Sequence, residues 1–273
     1  MEQTKIYLKE LLDKSVAKNI LYKRNLLKEY LQILVLDFIY SHSKYSGLVF
    51  YGGSCLAQCY GLPRLSEDLD FVDLKQEISL TDLAEDLKKY FSEKTDLPAV
   101  ATVQKFRVYL KFPVLKELGM AMTEDSDYLF LKIEVFSKFD FCSKHEIEII
   151  PLFKFNRTIL IKTFDLPTLM ATKIRAVLNR RWSKTDKQGN ELIKVKGRDY
   201  YDLMWYLEKG VKPNMDCLDL KKEELKIELL KSIEKLDSRS IELDLEAFID
   251  NADLVKNLSG SLRDILRRQV GVM

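Results

Sequence analysis

The stretch FYGGSCLAQCYGLPRLSEDLDFVDL, Phe50 to Leu74, opens with a Gly-Gly-Ser and closes with an Asp-Leu-Asp in a largely apolar run. One buried, unpaired carboxylate is costly, and a second beside it is worse. Either the segment lies at the surface, or something positive sits between the two acids. On a strand, residues two apart share a face. Leu69 and Phe71 then face one way and Asp68 and Asp70 the other. That alternation suits a half-exposed edge strand with solvated acids. It equally suits a strand with its apolar side in a core and two carboxylates cradling a divalent metal, with oxygen-only ligands favouring Mg²⁺ or Mn²⁺ over zinc.

Upstream, LVFYGG (48–53) reads as a short buried strand, and SCLAQCYG (54–61) as a short helix opened by Ser54 and stopped by Gly61. Glycines between strand and helix let the backbone approach a phosphate, and a helix N-terminus offers free N–H groups to an anion. Gly52, Gly53 and Ser54 are thus either a plain turn or a phosphate cradle. Cradle and D-x-D together would hold a triphosphate and its metals. Two-metal phosphoryl chemistry needs a third acid. In LKIEVF (131–136), Leu131, Ile133 and Val135 share a face, leaving Glu134 opposite with Lys132 and Phe136. Glu134 is a metal ligand that orients or deprotonates a hydroxyl, or else a partner in a salt bridge with Lys132 or Lys111. Asp140, Glu146 and Glu148 compete for the same role.

Around this stretch, the periodicity predicts a helix over 22–42 and another over 79–94 capped by Ser79 or Thr81. A β-rich middle follows, at 100–112, 128–137, 147–153 and 158–164. From Leu166 the pattern turns helical: 166–182 with Pro167 in its first turn, 198–210, 221–237 and two further segments, with a polar loop at 183–197. The shift near residue 165 divides the chain into an α/β domain, 1–165, and a helical domain, 166–273, expected to pack together.

With 44 basic and 42 acidic residues the 273-residue chain has a formal charge of +2, so bulk charge implies no nucleic-acid partner and only a local patch would serve one. LQILVLDFIY is too short to span a bilayer, and the N-terminus lacks a signal-peptide order. The composition fits a cytoplasmic globular protein with no membrane partner. Cys55, Cys59, Cys142 and Cys217 show no secreted-scaffold spacing and fit a reducing compartment. Cys55-x-x-x-Cys59 lacks a second ligand pair for zinc. His42 and His145 are the only histidines, which leaves histidine-centred catalysis few places.

GGSCLAQCYGLPRLSEDLDF resembles the first motif of polymerase-β-like nucleotidyltransferases, above all the AbiEii/AbiGii toxin branch with its G-G-S/T-x-L…R-x-S-x-D-L-D-F pattern. The resemblance runs through Arg64, Ser66 and D-L-D-F. It resumes at Lys173 in TLMATKIRAVLNR, and at GRDYYDL (197–203), which is similar to that branch's R-D-x-x-D-L. It covers roughly residues 48–210. It implies an α+β nucleotidyltransferase fold: a short mixed sheet flanked by helices, then a helical C-terminal lobe. It also implies an NTP substrate and Mg²⁺ (or Mn²⁺) as cofactor. Members act as toxins of two-gene bacterial systems, some transferring nucleotides to tRNA 3′ ends, so a tRNA or other RNA acceptor, an antitoxin encoded nearby and a role in phage defence are implied too. Position by position, Gly53 and Ser54 would meet the phosphates, with Gly52, Arg64 and Ser66 in the same nucleotide-binding motif. Asp68 and Asp70 would meet the metals, and Lys173 the triphosphate with Asp199 beside it. Cys55 departs from the branch's usual small residue, and the insertion between Arg181 and Gly197 is longer than its pattern. A protein or small-molecule acceptor, or a catalytically silent binding module, are the rival readings.

The helical lobe bears on this independently. Lys173 falls in the apolar stripe Leu166, Leu169, Met170, Ile174, Val177, where a lysine either snorkels out or reaches an anion. Arg198, in a helix's first turn, opposes the dipole and calls for an anionic partner, either substrate phosphate or a metal-site acid. Asp199 suits the same turn electrostatically without any function. Asp202 is placed to pair with Lys173 or Arg175. The inner face of that helix is expected at Tyr200, Leu203, Met204 and Leu207. Arg175, Arg180, Arg181, Lys184, Lys187, Lys194, Lys196 and Arg198, with Trp182 nearby, form a basic region that is either solvated surface or a phosphate-backbone site. LRDILRRQ carries the same ambiguity. The phosphoryl-transfer reading expects Asp68 and Asp70 to face Gly53 and Ser54, Glu134 to lie on a neighbouring strand, and Lys173 to reach in from the helical lobe.

Overall fold

A computed structural model describes residues 2–121, 127–142, 144–180, 183–185, 188–189 and 191–273. They divide into two compact units, Met1–Phe139 with Ile147–Thr163, and Asp140–Glu146 with Phe164–Met273.

The first unit contains α1 (Thr4–Lys14), α2 (Ile20–Ser41), β1 (Val49–Tyr51), α3 (Gly52–Tyr60), β2 (Leu69–Val72), α4 (Leu80–Lys94), β3 (Val100–Gln104), β4 (Arg107–Pro113), β5 (Tyr128–Phe136), β6 (Ile147–Lys154) and β7, which runs from Arg157 to Phe164 at the unit boundary. The strands form one mixed sheet in the order β3-β4-β5-β2-β1-β7-β6. β2 runs antiparallel to β1 and parallel to β5, while β1 and β7 are parallel. Alternation decides the faces. Val108, Leu110 and Phe112 of β4 and Leu129, Leu131 and Ile133 of β5 are buried, on the side where α4 packs against β3 and β4 and α2 against β5. Asn19 caps α2 by accepting from the amides of Leu21 and Tyr22, and Ser79 caps α4. The apolar run at 100–112 is a hairpin, turned at Lys105 with φ 54°.

The second unit contains α5 (Leu166–Asn179), a small ribbon of β8 (Lys184–Thr185) and β9 (Glu191–Ile193), α6 (Gly197–Glu208), a 3-10 turn at Met215–Cys217, α7 (Lys222–Glu234), α8 (Ser238–Leu245) and α9 (Ala252–Gly271). The expected single inner face of α6 is too narrow. Tyr201, Asp202, Trp205 and Tyr206 are buried as well, because α5, α8 and α9 all pack around this helix. The segment Asp140–Glu146 joins this unit through local bonds: Lys144 O accepts from Asn214 Nδ2 at 2.6 Å, and Glu146 O from Asp165 N at 3.1 Å. Cys142 and Cys217 form a disulfide, Cα atoms 3.9 Å apart across 75 residues of sequence. The reading of four scattered, reduced cysteines is corrected for this pair; Cys55 and Cys59 are free thiols. Among the described residues no helix is long and apolar enough to cross a membrane.

Candidate active site

β1 leads into α3 without a loop. The helix starts at Gly52, two residues before the expected opening at Ser54, and Gly61 ends it in the left-handed conformation. Packing dictates both early glycines. Gly52 has φ +81°, and a Cβ there would collide with the Asp70 carboxylate; a Cβ on Gly53 would lie 2.7 Å from Arg64 Nη2 and 3.2 Å from Ser66 Oγ. Ser54 is fully buried and donates its hydroxyl to the carbonyl of Asp68. Ser54 is not the cap expected, because the helix has already begun at Gly52. Arg64 is buried with Nη1 donating to Leu65 O at 2.7 Å, and Gln32 Nε2 donates to Ser66 O at 2.9 Å. The glycines, Arg64, Ser66 and the aspartate strand are thus one packed cluster.

The carboxylates follow from the sheet register. Asp70 on β2 is paired with Tyr51 on β1 and with Glu134 on β5, and Glu134 in turn with Arg107 on β4. Leu69 and Phe71 are buried on the other face. Asp68 stands one residue before β2. The Lys132 ammonium lies between two of the acids, 2.8 Å from Asp68 Oδ2 and 2.9 Å from Glu134 Oε1, and Arg107 Nε is 2.7 Å from the same Glu134 oxygen. Burial raises the Asp68 pKa, with Lys132 opposing the shift. Burial pulls Lys132 down, but Asp68 and Glu134 outweigh it and hold the lysine raised. Lys132 thus stands between two of the acids from which the metal cradle was read. Among the described residues no group of three or more His, Cys, Asp or Glu side chains is arranged to hold a metal ion. The physical reason is charge: without a cation three neighbouring carboxylates repel, and Lys132 and Arg107 neutralise two of them. The donor chemistry itself fits a hard divalent ion, since every acid here offers oxygen and the Lys132 ammonium already stands in as a cation between Asp68 and Glu134. Of the rival acids, Glu148 accepts from Tyr60 Oη at 3.0 Å, while Asp140 and Glu146 belong to the other unit.

In the second unit, Lys173 Nζ lies 2.8 Å from both Asp199 Oδ1 and Asp202 Oδ2. Arg180 Nη1 is 2.6 Å from Asp199 Oδ2. The anion that Lys173 meets is thus a pair of buried aspartates on α6. Burial would raise Asp199, but Lys173, Lys196 and Arg180 overcome it and hold the carboxyl well below its ordinary value. Lys196 is lowered to about 8 by burial and by the neighbouring Arg198, Arg180 and Lys173, against the pull of Asp199. Arg180, Lys194, Lys196, Asp199 and Tyr200 line a small cavity of about 150 Å³. Arg198 finds its anion on α8: Asp244 Oδ2 accepts from its amide at 3.0 Å and lies 3.4 Å from Nε, and the guanidinium covers the Phe248 ring at 4.0 Å. Within this unit, Asp244 is thus a carboxylate partner of Arg198. Gly197 permits the approach, since a Cβ there would lie 2.9 Å from the backbone of Ile241. Arg175 pairs with Asp219 at 2.7 Å, leaving Asp202 to Lys173. Arg181, Trp182, Lys187 and the side chain of Lys184 lie outside the described residues.

Reading the sequence missed Arg107 and Asp244 as partners of site residues. Neither has a local signal, because one is a cross-strand neighbour and the other sits 46 residues from Arg198.

Several solved structures resemble this chain, two of them as follows. MenT4, a nucleotidyltransferase toxin from Mycobacterium tuberculosis H37Rv, superposes with a TM-score of 0.58 at 11% identity, over 97% of this chain and 88% of that one. JHP933 from Helicobacter pylori gives 0.50 at 17% identity, over 90% and 93%. At such identities the likeness speaks for the fold alone. No curated protein matches the chain in sequence. The family model described as nucleotidyl transferase AbiEii toxin, Type IV TA system, matches residues 37–271. The chain therefore belongs to the AbiEii family of nucleotidyltransferase toxins of Type IV toxin–antitoxin systems.

Proposed function

We propose that this enzyme transfers a nucleoside monophosphate from an NTP to the 3′ end of tRNA, and that it does so in the cytoplasm as the toxin of a phage-defence pair whose antitoxin is encoded nearby. The observation that carries the reading is the row of Asp70 and Glu134 on adjacent strands, set against the glycine start of α3. Mg²⁺ (or Mn²⁺) would be held by Asp68, Asp70 and Glu134. Bound there, it would offset phosphate charge and acidify the acceptor hydroxyl.

The chain's own residues do the rest. The free amides at the start of α3, whose glycines let Asp70, Arg64 and Ser66 pack close, meet a phosphate. Arg64 and Ser66 hold that turn in shape. Glu134 orients the acceptor hydroxyl and takes its proton as the oxygen attacks the α-phosphorus. The bond to the β-phosphate breaks, and pyrophosphate leaves with the electron pair. Within the helical unit, Asp199 and Asp202 hold the Lys173 ammonium in place. Catalysis of this kind is positioning and electrostatics.

Incubating the protein with total RNA and each α-labelled NTP in turn tests the reading. Label on tRNA-sized RNA, abolished by EDTA and by Asp70→Asn, is expected. Label on protein or on small acceptors, or none at all, overturns the RNA acceptor.

A further inference from the structure

The face of the sheet that carries the carboxylates does not end at them. On β4 and β5, Arg107 pairs with Glu134, Tyr109 with Lys132, Lys111 with Phe130 and Pro113 with Tyr128. Directly opposed residues on antiparallel strands share a face, so these side chains form one surface continuous with Glu134. The other face of the same strands is the buried one, under α2 and α4. Phe130 is 47% exposed and Tyr128 39%, unusual for aromatic rings on regular strands. They sit edge to face with centroids 6.3 Å apart, and the Lys111 ammonium lies over Phe130 at 5.8 Å. Tyr109 and Lys111 are half-buried beside them.

We propose that this open face is a stacking platform for the single-stranded 3′ end of the RNA acceptor, leading its terminal hydroxyl to Glu134. The proposal rests on the RNA-acceptor reading above and adds the surface that would deliver it. Three observations carry it: exposed ring faces, cations interleaved with them, and continuity with the carboxylate row. Rings and cations alternating on an open sheet are what a flexible, anionic, base-bearing strand requires. Bases stack on the rings whatever their identity, and phosphates meet the cations. Phe130 lies four residues from Glu134 on β5, a span of about 13 Å. A strand ending at Glu134 therefore passes over Lys132, Phe130 and Tyr128 in turn. A duplex, with its bases stacked inside, offers no faces to these rings.

The test is fluorescence anisotropy of a 5′-labelled octaribonucleotide on the full chain, in EDTA and without NTP, so that binding is read apart from chemistry. The wild-type chain is expected to bind the octamer and to bind a blunt RNA duplex at least about tenfold more weakly. Phe130→Ala is expected to lose about tenfold in affinity, and Phe130→Tyr, which keeps a ring, to retain it. Lys111→Met is expected to flatten the salt slope by about 0.7. Both altered side chains reach solvent, so unchanged melting curves serve as the folding control. An octamer that wild type does not bind, as on a face built for a protein partner, overturns the proposal. So does equal binding by wild type, Phe130→Ala and Lys111→Met, or equal competition by the duplex. The two readings fail separately. Phe130-dependent octamer binding with no RNA labelling leaves the platform standing and removes the acceptor reading. RNA labelling with an unchanged KM in Phe130→Ala removes the platform alone.

Discussion

Lys132 and Glu134, two residues apart on one face of β5, hold opposite charges 2.9 Å apart, and the same ammonium reaches Asp68 at 2.8 Å. Without a bound metal, this lysine is the cation that lets two acids stand close. Lys132→Met should therefore lower metal-free stability by about 1–2 kcal/mol, between the worth of exposed and buried pairs. On the proposed metal site, it should also give Mn²⁺ a larger effect on Tm than in wild type, since the ion would no longer compete with an ammonium. Thermal melts of both proteins with and without Mn²⁺ measure this. Equal metal-induced shifts would show that Lys132 does not stand where the metal binds.

Gly52 is fixed by two constraints at once, a positive φ and the Asp70 carboxylate against its α-carbon. Gly52→Ala should cost about 1–3 kcal/mol through backbone strain alone and should displace Asp70, abolishing transfer. Gly53→Ala meets only the far end of the Arg64 side chain and Ser66 Oγ, so it should cost less. Urea denaturation and a transfer assay of the two variants rank them; a Gly53→Ala more damaging to stability than Gly52→Ala contradicts the packing described.

These two relationships differ in how far they are written in the sequence. The period of two that sends Asp68 and Asp70 away from Leu69 and Phe71, and Glu134 away from Ile133, is local, and was legible. That Asp70 sits beside Glu134 is a parallel pairing across a long crossover, which no local pattern encodes. The start of α3 at Gly52 was obscured because glycine is a poor helix former; here close packing against Asp70 and Arg64 overrides propensity. In the helical unit, Lys173 stood out as a charge in an apolar stripe. Asp202 was legible as a partner for it or for Arg175, whereas Asp199 was placed beside it only by the family resemblance. Asp244, the partner of Arg198, was not, because only tertiary packing brings α8 to the start of α6. The disulfide and the assignment of Asp140–Glu146 to the second unit were hidden for the same reason.

Asp202 is fully buried, and its partner Lys173 is half-buried. Asp202→Asn removes one of the two carboxylates that face Lys173 and leaves Asp199 at 2.8 Å, so it should destabilise the chain by about 1–3 kcal/mol. Lys173→Met in the same chain should recover part of that loss while leaving transfer abolished. A double-mutant cycle by urea denaturation gives the coupling. Additive losses would mean that the two groups do not share a charge interaction.

Lys196 gives the helical unit a distinctive response to alkali. Its folded pKa is lowered to about 8 by burial and by Arg198, Arg180 and Lys173, with Asp199 pulling the other way. Between pH 8 and the ordinary lysine value of 10.5, the unfolded chain holds this proton and the folded chain does not, so stability rises with pH across that window. Below pH 8 the full cost of a charged Lys196 is present. Lys196→Met should therefore be more stable than wild type at pH 7, by about 1–3 kcal/mol, and the advantage should shrink toward pH 10. Asp199 acts in the opposite range: its lowered pKa contributes stability at neutral pH that is lost as the solution falls below the ordinary carboxylate value of 3.8. Urea denaturation of wild type and Lys196→Met at pH 7 and pH 9.5 separates this lysine from the other titrating groups, because those are common to both chains. A difference between the two chains that does not change with pH would mean that Lys196 keeps an ordinary pKa.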